Sequence, residues 1–393
     1  MEKRTTIQSL QTHIFGTALE YVKRWKLEPY ILVNDCGFGF YTTERQIFRK
    51  MQKPFCVVDM NPWAASRDLR CTVKTGVAVT DLKRENGKIV LTDSEQNSYI
   101  GTIVVDCSGD AQIVGSLLGI KKSACDFIDV SVVFDNVKVD RLHEMSYYQD
   151  ARLTNCGGWY HPLSPTSALL GMSEWTGEAH LNKDELRKRF ESYLNDFPPF
   201  KQYFKDATIR EISEKIGPTT QLHTSITEDN YLSVGDAAGA GTPFIGLGFY
   251  TALAMADSAF EAIMNAHKEQ DYSKKSFRLH EQKFQQEFGR WYKWSTLLRW
   301  IYMKYTTNAE LNVMADVLPD YSDEEYYAIL LSYITPRMML KLFLKRFVWL
   351  RILKNALIYH ILRPIGIASV AKRPLKTPDP AKYRIQWPEE NKA

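Results

Sequence analysis

The chain has 393 residues, more than one hydrophobic core usually serves, so the sequence predicts two or more subdomains. A hydrophobic share of 45% and a formal net charge of +4 are ordinary for a globular protein and give no reason to expect nucleic acid as a partner. The six cysteines lack metal-type spacing, which argues against a metal site and a disulfide framework and favours a reducing, cytoplasmic setting. The sequence contains no run of eighteen apolar residues, so no transmembrane helix is predicted. The first residues do not resemble a signal peptide.

A hairpin and a buried strand are predicted in the first third of the chain. Residues 78–82 and 88–91 flank Asn86-Gly87, a pair that tolerates the positive φ angles of a tight turn. The apolar run 101–106 shows no polar alternation, which is typical of a strand buried on both faces. It leads into the polar turn 107–110.

The middle of the chain alternates strands with helices. Residues 128–137 and 168–175 are predicted strands, with the aromatic segment 156–162 as a loop between them. A helix is predicted at residues 183–195. From about residue 274 the chain is predicted to be helical.

The sharpest pattern lies between residues 231 and 265, where a short apolar strand runs into a Gly-Asp pair and then into a long Ala-rich helix. Ligands bind at the carboxyl ends of such strands. Gly235 lets the backbone approach a ligand, and the Asp236 carboxylate can accept hydrogen bonds from sugar or ribityl hydroxyls. The first N–H groups of the helix favour negative charge. The candidate ligand-binding residues here are Gly235, Asp236, Gly239, Pro243, Gly246 and Gly248.

This pattern is similar to the flavin-binding signature of geranylgeranyl reductases, aromatic-ring hydroxylases and flavin halogenases. The resemblance implies that Asp236 binds the ribityl chain of FAD and that residues 246–249 face the pyrimidine end of its ring. Residues 104–110 resemble the strand-Asp-x-x-Gly segment of the same proteins. That resemblance implies that Asp106, Gly109 and Asp110 lie beside the adenosine and pyrophosphate.

A third match points to the geranylgeranyl reductases within this group. Their aromatic loop ends in Trp-x-Phe-Pro on the substrate side of the flavin, and Trp159-Tyr160-His161-Pro162 resembles it, with His161 in place of Phe. The resemblance makes Trp159, Tyr160 and His161 the candidate catalytic residues. The aromatic pair would press an isoprenoid chain against the flavin, and Tyr160 and His161 are candidate proton donors from their position.

The resemblance implies an α/β fold of the glutathione-reductase-like, FAD-binding type, with a mixed β-sheet substrate domain and a helical C-terminal region. Residues 1–125 and 205–270 would bind FAD, residues 126–204 would form the substrate sheet, and residues 271–393 would be helical. The expected reaction is reduction of isoprenoid C=C bonds by hydride from reduced FAD, with NAD(P)H or a ferredoxin-type protein as the open choice of electron donor. A flavin monooxygenase or halogenase, or a non-catalytic or split subunit that keeps the fold, remains the alternative.

One expected feature is missing from the sequence. Proteins of this type open with a strand, GxGxxG and a helix that binds the pyrophosphate, and Gly37-Phe38-Gly39 is not followed by the third glycine. Three explanations stay open: a truncated chain, a separate nucleotide-binding chain, or a degenerate homologue. Without that unit the sheet would expose an edge, so we expect a partner or an additional segment there.

The region 337–363 carries seven basic residues and no acidic one, and most of its other residues are large and apolar. Projected as one helix, it predicts an amphipathic surface. Such a surface suits the headgroup layer of an anionic membrane, with basic side chains around an apolar face. A packed helix that caps the substrate domain is the alternative. We therefore expect peripheral membrane contact at the cytoplasmic side.

Overall fold

The computed structural model describes residues 13–66, 71–120, 125–175, 183–196, 198–218, 225–362 and 385. Within these residues the strands are β1 (Ile14–Ala18), β2 (Ile31–Tyr41), β3 (Gln46–Arg49), β4 (Phe55–Asp59), β5 (Val79–Glu85), β6 (Lys88–Asp93), β7 (Ser98–Gly101), β8 (Val104–Asp106), β9 (Cys125–Asp135), β10 (Glu144–Tyr148), β11 (Gly157–Ser164), β12 (Ser167–Trp175), β13 (Thr208–Pro218), β14 (Thr227–Glu228) and β15 (Tyr231–Ser233). The α-helices are α1 (Leu19–Arg24), α2 (Asn61–Ser66), α3 (Ile113–Leu117), α4 (Lys183–Asp196), α5 (Pro198–Tyr203), α6 (Phe249–Glu269), α7 (Arg278–Phe284), α8 (Arg290–Tyr305), α9 (Asn308–Val317), α10 (Asp323–Leu330), α11 (Pro336–Leu344) and α12 (Val348–Leu357).

A nine-stranded mixed sheet is the central layer of the fold. Its strands run in the order β1-β4-β2-β10-β11-β12-β9-β13, with β3 paired to β2. Side chains alternate across each strand, so the sheet buries a separate apolar cluster on each face. Val130 and Val132 face the cluster that includes α4 and α5, which we call the α4 face. Val133 and Leu169 face the cluster that includes α6, which we call the α6 face.

The sheet crosses the domain boundaries that the sequence predicts. Strands β1 to β4 lie within the predicted FAD-binding domain, yet β2 pairs with β10 of the predicted substrate sheet. Strand β13 lies beyond the predicted boundary at residue 205 and pairs with β9. The predicted domains consist of strands that are close in sequence, whereas the sheet pairs strands that are distant in sequence.

The aromatic segment predicted as a loop is strand β11. It carries Trp159, Tyr160 and His161 between β10 and β12. Pro162 has no N–H to donate, and the register of the ladder shifts between Pro162 and Ser164. Glycine and proline are turn signals in a sequence, and here the neighbouring strands override them.

The predicted hairpin is confirmed. Strands β5 and β6 pair across Asn86 and Gly87, whose φ angles are +50° and +72°. Positive φ at both central positions is what a twisted two-residue hairpin turn requires. Strand β7 adds to β6 and completes a small three-stranded sheet.

A second small sheet, β14-β15-β8, carries the segments that resemble the flavin signature. Strands β15 and β8 are parallel, with Ser233 opposite Asp106. The turns that follow the two strands therefore leave the sheet at the same edge, where ligands bind in α/β proteins. Among the described residues β8 ends this sheet, and Val105 is 39% exposed on it. This is the exposed edge that the sequence leads us to expect.

The chain beyond α6 is helical, as predicted. Capping boxes begin α9 and α10, and Pro336 stands in the first turn of α11. The prediction of one helix across residues 337–363 is wrong. Phe347, with φ of +54°, breaks the segment between α11 and α12, because a left-handed residue cannot continue an α-helix. Residue 363 lies outside the described residues.

Candidate functional site

Asp106, at the carboxyl end of β8, holds the turn that follows it. Its buried carboxylate accepts hydrogen bonds from the Ser108 amide at 3.0 Å, the Ser108 hydroxyl at 2.6 Å and the Gly115 amide at 2.9 Å. These donors belong to the turn itself and to α3, so the Asp106 carboxylate fixes the conformation of the turn relative to α3. Gly109, with φ of +66°, and the exposed Asp110 form the outer side of the turn.

The Gly-Asp turn (Gly235–Ala238) lies beside the turn that carries Asp110. Gly235 and Gly239 both adopt left-handed conformations, with φ of +66° and +67°, which bend the chain sharply after β15. A Cβ on Gly235 would lie 3.3 Å from the Cβ of Ala252 in α6, so glycine also lets the turn approach this helix. The side chain of Asp236 is exposed from the turn.

Residues 242–247 link this turn to α6, and together residues 235–248 form what we call the Gly-Asp loop. Thr242 is buried and closes the link, because its hydroxyl accepts the Leu247 amide at 2.7 Å and its carbonyl accepts the Gly246 amide at 3.0 Å. Gly246 has φ of +76°. The Tyr147 hydroxyl donates to the Ile245 carbonyl at 3.1 Å and so ties the loop to the α6 face of the large sheet.

The Asp236 carboxylate is accessible to solvent and at the same time closely surrounded by protein. Loss of hydration raises the pKa of Asp236, nearby Asp110 adds to the rise, and the Lys215 ammonium opposes it. A Cβ on Gly248 would lie 3.4 Å from Oδ1 of Asp236, so the carboxylate stands over the first turn of α6. This arrangement offers a partly desolvated acceptor beside the free N–H groups of a helix start.

A polar cluster on the α6 face was missed in the sequence. Asp129 of β9 lies directly opposite Ser173 of β12 and Lys215 of β13, so the three side chains share one face. Burial raises the pKa of Asp129 to about 7, with Lys215 and Ser173 opposing the rise and the charge of Asp236 adding to it. The signal in the sequence is Asp129 itself, one of two acidic residues in the largely apolar predicted strand 128–137.

Cys156 connects this polar cluster to an apolar cavity. Its thiol donates a hydrogen bond to Oδ1 of Asn155 at 3.2 Å, and its neighbour Gly157 lies opposite Ser173, the residue that faces Asp129 in the sheet. Burial, followed by the charges of Glu174 and Asp129, raises the pKa of Cys156 well above its usual value. The thiol therefore stays protonated at neutral pH.

The cavity has a volume of about 100 Å³ and lies between the α6 face, the Gly-Asp loop and the C-terminal helices. Phe244 and Ile245 of the Gly-Asp loop form one wall, and Tyr147 of the sheet forms another. Gln149, a polar residue of the wall, accepts a hydrogen bond from Tyr302 at 2.6 Å, so its amide oxygen is satisfied. The helices supply Leu298, Met303, Met314, Leu330, Met338 and Leu342.

Trp159 lies on the α6 face of the sheet, outside the set of residues that line the cavity. Its indole covers Gly171 of β12, where a Cβ would come within 2.1 Å of Cε2 of the ring. The ring is half-buried against the apolar cluster that also contains Val234 and Ala238 of the Gly-Asp segment. Trp159 and the Gly-Asp loop are therefore brought to the same side of the sheet.

The other two candidate catalytic residues are not placed as proton donors. Tyr160 points to the α4 face and packs near Phe200, with ring centroids 6.4 Å apart, so it lies away from Trp159. His161 returns to the α6 face but is 7% exposed and packs toward Gly16. Burial lowers the pKa of His161 to about 4, so its imidazole is neutral at neutral pH. Successive side chains of a strand point to opposite faces of the sheet, so Tyr160 and His161 lie on different sides. The prediction of a loop for this segment gave no such alternation.

Two absences complete this description. Among the described residues, no group of three or more His, Cys, Asp or Glu side chains is placed to hold a metal ion. In the same part of the chain, no helix combines the length and the apolarity of a membrane span.

No family model matches the chain. A digeranylgeranylglycerophospholipid reductase of Methanosphaera stadtmanae is 28% identical over 297 residues, which cover 74% of this chain and 65% of the relative. A second such reductase, from Methanopyrus kandleri, is 25% identical over 244 residues, or 60% of each chain. These relatives confirm the resemblance to the geranylgeranyl reductase family.

The solved structure of a geranylgeranyl bacteriochlorophyll reductase-like protein from Thermoplasma acidophilum shares the fold of this chain, with a TM-score of 0.75 at 18% identity. The alignment covers 90% of this chain and 91% of that one. The mixed sheet with a helical C-terminal region is thus the α/β fold of that solved structure. The chain spans less than two thirds of the length of the two curated relatives, 65% of the first and 60% of the second.

We predict that Gly171→Ala destabilises the protein by about 1–3 kcal/mol, because the added methyl group displaces the Trp159 indole from the sheet. Urea unfolding measures this change. Gly101→Ala is the matched control, since a Cβ there meets only the Ile103 carbonyl at 3.5 Å. The cost should shrink in a Trp159→Ala background. An equal cost in both backgrounds would show that the indole does not lie over Gly171.

A second prediction concerns stability against pH. The folded protein binds a proton at His161 only near pH 4, whereas the unfolded chain binds it near its ordinary pKa of about 6.5. The stability due to neutral His161 is present above pH 6.5 and is lost as pH falls toward 4. Between pH 7.5 and 5 this loss is about 2 kcal/mol.

Urea unfolding of His161→Phe should therefore show a shallower loss of stability toward pH 5 than the unmodified protein. The exposed His267 provides the control, and His267→Gln should leave the pH dependence unchanged. Parallel curves for His161→Phe and the unmodified protein would contradict the prediction.

Proposed function

We propose that this protein reduces C=C bonds of isoprenoid chains, such as geranylgeranyl groups of lipids, with FAD as its cofactor. The observation that carries the proposal is the apolar cavity whose wall includes Phe244 and Ile245 of the Gly-Asp loop. The Gly-Asp loop thus carries the turn that resembles a cofactor site and also borders a space lined with aromatic, Leu and Met side chains. The curated relatives are reductases of geranylgeranyl lipids by name, which agrees with that chemistry.

The residues present fit the ribityl and ring portion of FAD. Asp236 would accept hydrogen bonds from ribityl hydroxyls, and the start of α6 behind Gly246 and Gly248 would favour negative charge on the ring. Gly109 and Asp110, on the neighbouring turn, would lie toward the adenosine and pyrophosphate. Reduced FAD supplies hydride when it is bound, and either NAD(P)H or a ferredoxin-type protein would reduce it. Trp159 would exclude water from the reacting carbons.

The pyrophosphate needs a further element. The sequence holds no GxGxxG, and within the part of the chain that the structure describes β8 presents an exposed edge at the side of Asp106. We propose that a βαβ nucleotide-binding unit, from a further segment or from a second chain, pairs with β8. Parallel pairing there would cover Val105 and bring a phosphate-binding loop to the edge where Asp110 lies.

We propose Asp129 as the proton source of the reaction. Reduction of a C=C bond adds one hydride, from the flavin, to one carbon and one proton to the other. Ser173 lies opposite Asp129 in the sheet and beside the strand end that carries Cys156, a cavity-lining residue, so a proton would pass from the carboxylic acid along this line to the cavity wall. The exposed Lys215 beside Asp129 places the carboxylate within reach of solvent for reprotonation.

The first test is FAD titration of the purified protein, followed by quenching of flavin fluorescence. Asp236→Ala should weaken binding roughly 10- to 100-fold, because it removes a charged acceptor of ribityl hydroxyls. Asp81→Ala, in the distant β5–β6 hairpin, should bind like the unmodified protein. A protein that takes up no FAD, alone or with a βαβ partner, would support the non-catalytic alternative. Hydroxylation or halogenation of aromatic compounds by the reduced protein would support a monooxygenase or halogenase.

The second test is Asp129→Asn, which keeps the shape of the side chain and removes its proton. Reduction of a geranylgeranyl lipid in a single turnover should slow by roughly 100-fold or more while FAD binding stays unchanged. The acid form is the active one, so the rate of the unmodified protein should fall as pH rises through about 7. Asp135→Asn, at the end of the same strand, is the control.

A readout without turnover separates this role from simple damage. In the flavin-free protein, the infrared band of a protonated carboxyl group should disappear as pH rises through about 7, and Asp129→Asn should lack that band. If Asp129→Asn retains both the band and the full rate, Asp129 is not the proton source.

A further inference from the structure

Helices α11 and α12 expose an unusually apolar surface. Of the eighteen large hydrophobic side chains that are exposed among the described residues, eight lie between residues 340 and 361. Leu340 and Leu344 are 57% and 58% exposed on α11, and Phe347, at the break between the helices, is 66% exposed. Seven of the eight form what we call the α11–α12 apolar face: Leu340, Leu344, Phe347, Leu350, Leu353, Leu357 and Ile361.

The spacing of these residues shows that the face is continuous along α12 and the turn after it. Leu350, Leu353, Leu357 and Ile361 follow one another at intervals of three or four residues, which places them on one side of the helix. The opposite side is buried, since Val348 and Ile352 belong to an apolar cluster with residues of α8 and α9. Helix α12 thus packs against the protein with one side and exposes an apolar surface to solvent on the other.

The charges that α11, α12 and the residues between them carry are all positive, and two of them are paired, Lys341 with Glu325 and Lys345 with Asp320. Residues 336–362 contain no acidic residue. Arg351 and Lys354 are exposed on α12, and Lys304 of α8 stands between the rings of Trp300 and Tyr359, 5.2 Å and 5.0 Å from their centroids. Lysine and arginine stems can lie along an apolar surface while their charged ends reach the headgroups of a lipid layer. The face is therefore complementary to anionic headgroups over hydrocarbon.

The same helix α11 borders the apolar cavity. Met338, Met339 and Leu342 line the cavity, while Leu340 and Leu344 point outward. The cavity and the exposed face therefore lie on two sides of the same helix. A chain taken up at this face has a short apolar route inward.

We propose that the α11–α12 apolar face docks on an anionic lipid bilayer, from which the cavity receives the hydrocarbon chain of its substrate. The docking itself depends only on this surface. Its use for substrate uptake rests on the proposed function. Burial of the leucines and Phe347 in the acyl boundary drives the contact, and attraction of the basic residues to anionic lipid orients it.

The test is flotation of the flavin-free protein with vesicles of phosphatidylcholine alone or mixed with phosphatidylglycerol. The protein should float with the mixed vesicles and at least about tenfold less with the neutral ones, and raised salt should weaken the binding. Leu353→Ser combined with Leu357→Ser should reduce flotation at least about tenfold. Arg351→Gln combined with Lys354→Gln should reduce only the difference between the two vesicle types.

The matched control is Phe260→Ser combined with Met264→Ser, which removes exposed apolar side chains from α6 and should leave flotation unchanged. Circular dichroism and the melting temperature of each variant verify its fold. Absence of flotation, or equal flotation of the Leu353/Leu357 variant, overturns the proposal. So does a dimer in sedimentation that this variant abolishes without any flotation, since the face would then join two copies of the chain. Flavin titration of the same samples reports on the proposed function separately.

Discussion

The hydrogen bond from the Tyr147 hydroxyl to the Ile245 carbonyl joins the two halves of the candidate site. Tyr147 belongs to the large sheet, whereas Ile245 belongs to the loop that leaves the small parallel sheet. The two layers form by separate backbone pairing, and this contact sets the distance between them. The cavity that Tyr147 and Ile245 both line depends on that distance. Thr242 supports the contact by holding its loop closed.

The candidate site has a polar side and an apolar side. Asp129, Lys215 and Asp236 lie within reach of one another's charges on the polar side. On the apolar side, Phe244 and Ile245 face a cavity whose polar wall residue, Gln149, is satisfied by Tyr302. Such a division suits a reaction that needs one proton and otherwise excludes water, because hydride transfer is lost to solvent in an open site.

Burial provides the chemistry on both sides. It keeps the thiol of Cys156 protonated and raises the pKa of Asp129 to about 7, where a carboxyl group can both hold and release a proton. It has the opposite effect on His161, whose pKa falls to about 4. Two residues of one sheet face thus differ in protonation, because loss of hydration always disfavours the charged form. The surface beyond α11 extends the apolar side outward.

The sequence by itself determined the features that depend on neighbouring residues. The Asn86-Gly87 hairpin, the capped helices and the Gly-Asp turn with its long helix follow from φ preferences and capping groups that act over a few positions. The tertiary structure alone decided which strands pair, and therefore which side chains share a face. That is why β11 is a strand, why Tyr160 points away from Trp159, and why Asp129 meets Lys215 across 86 positions of chain. Such contacts depend on pairing between distant segments, and no local pattern records them.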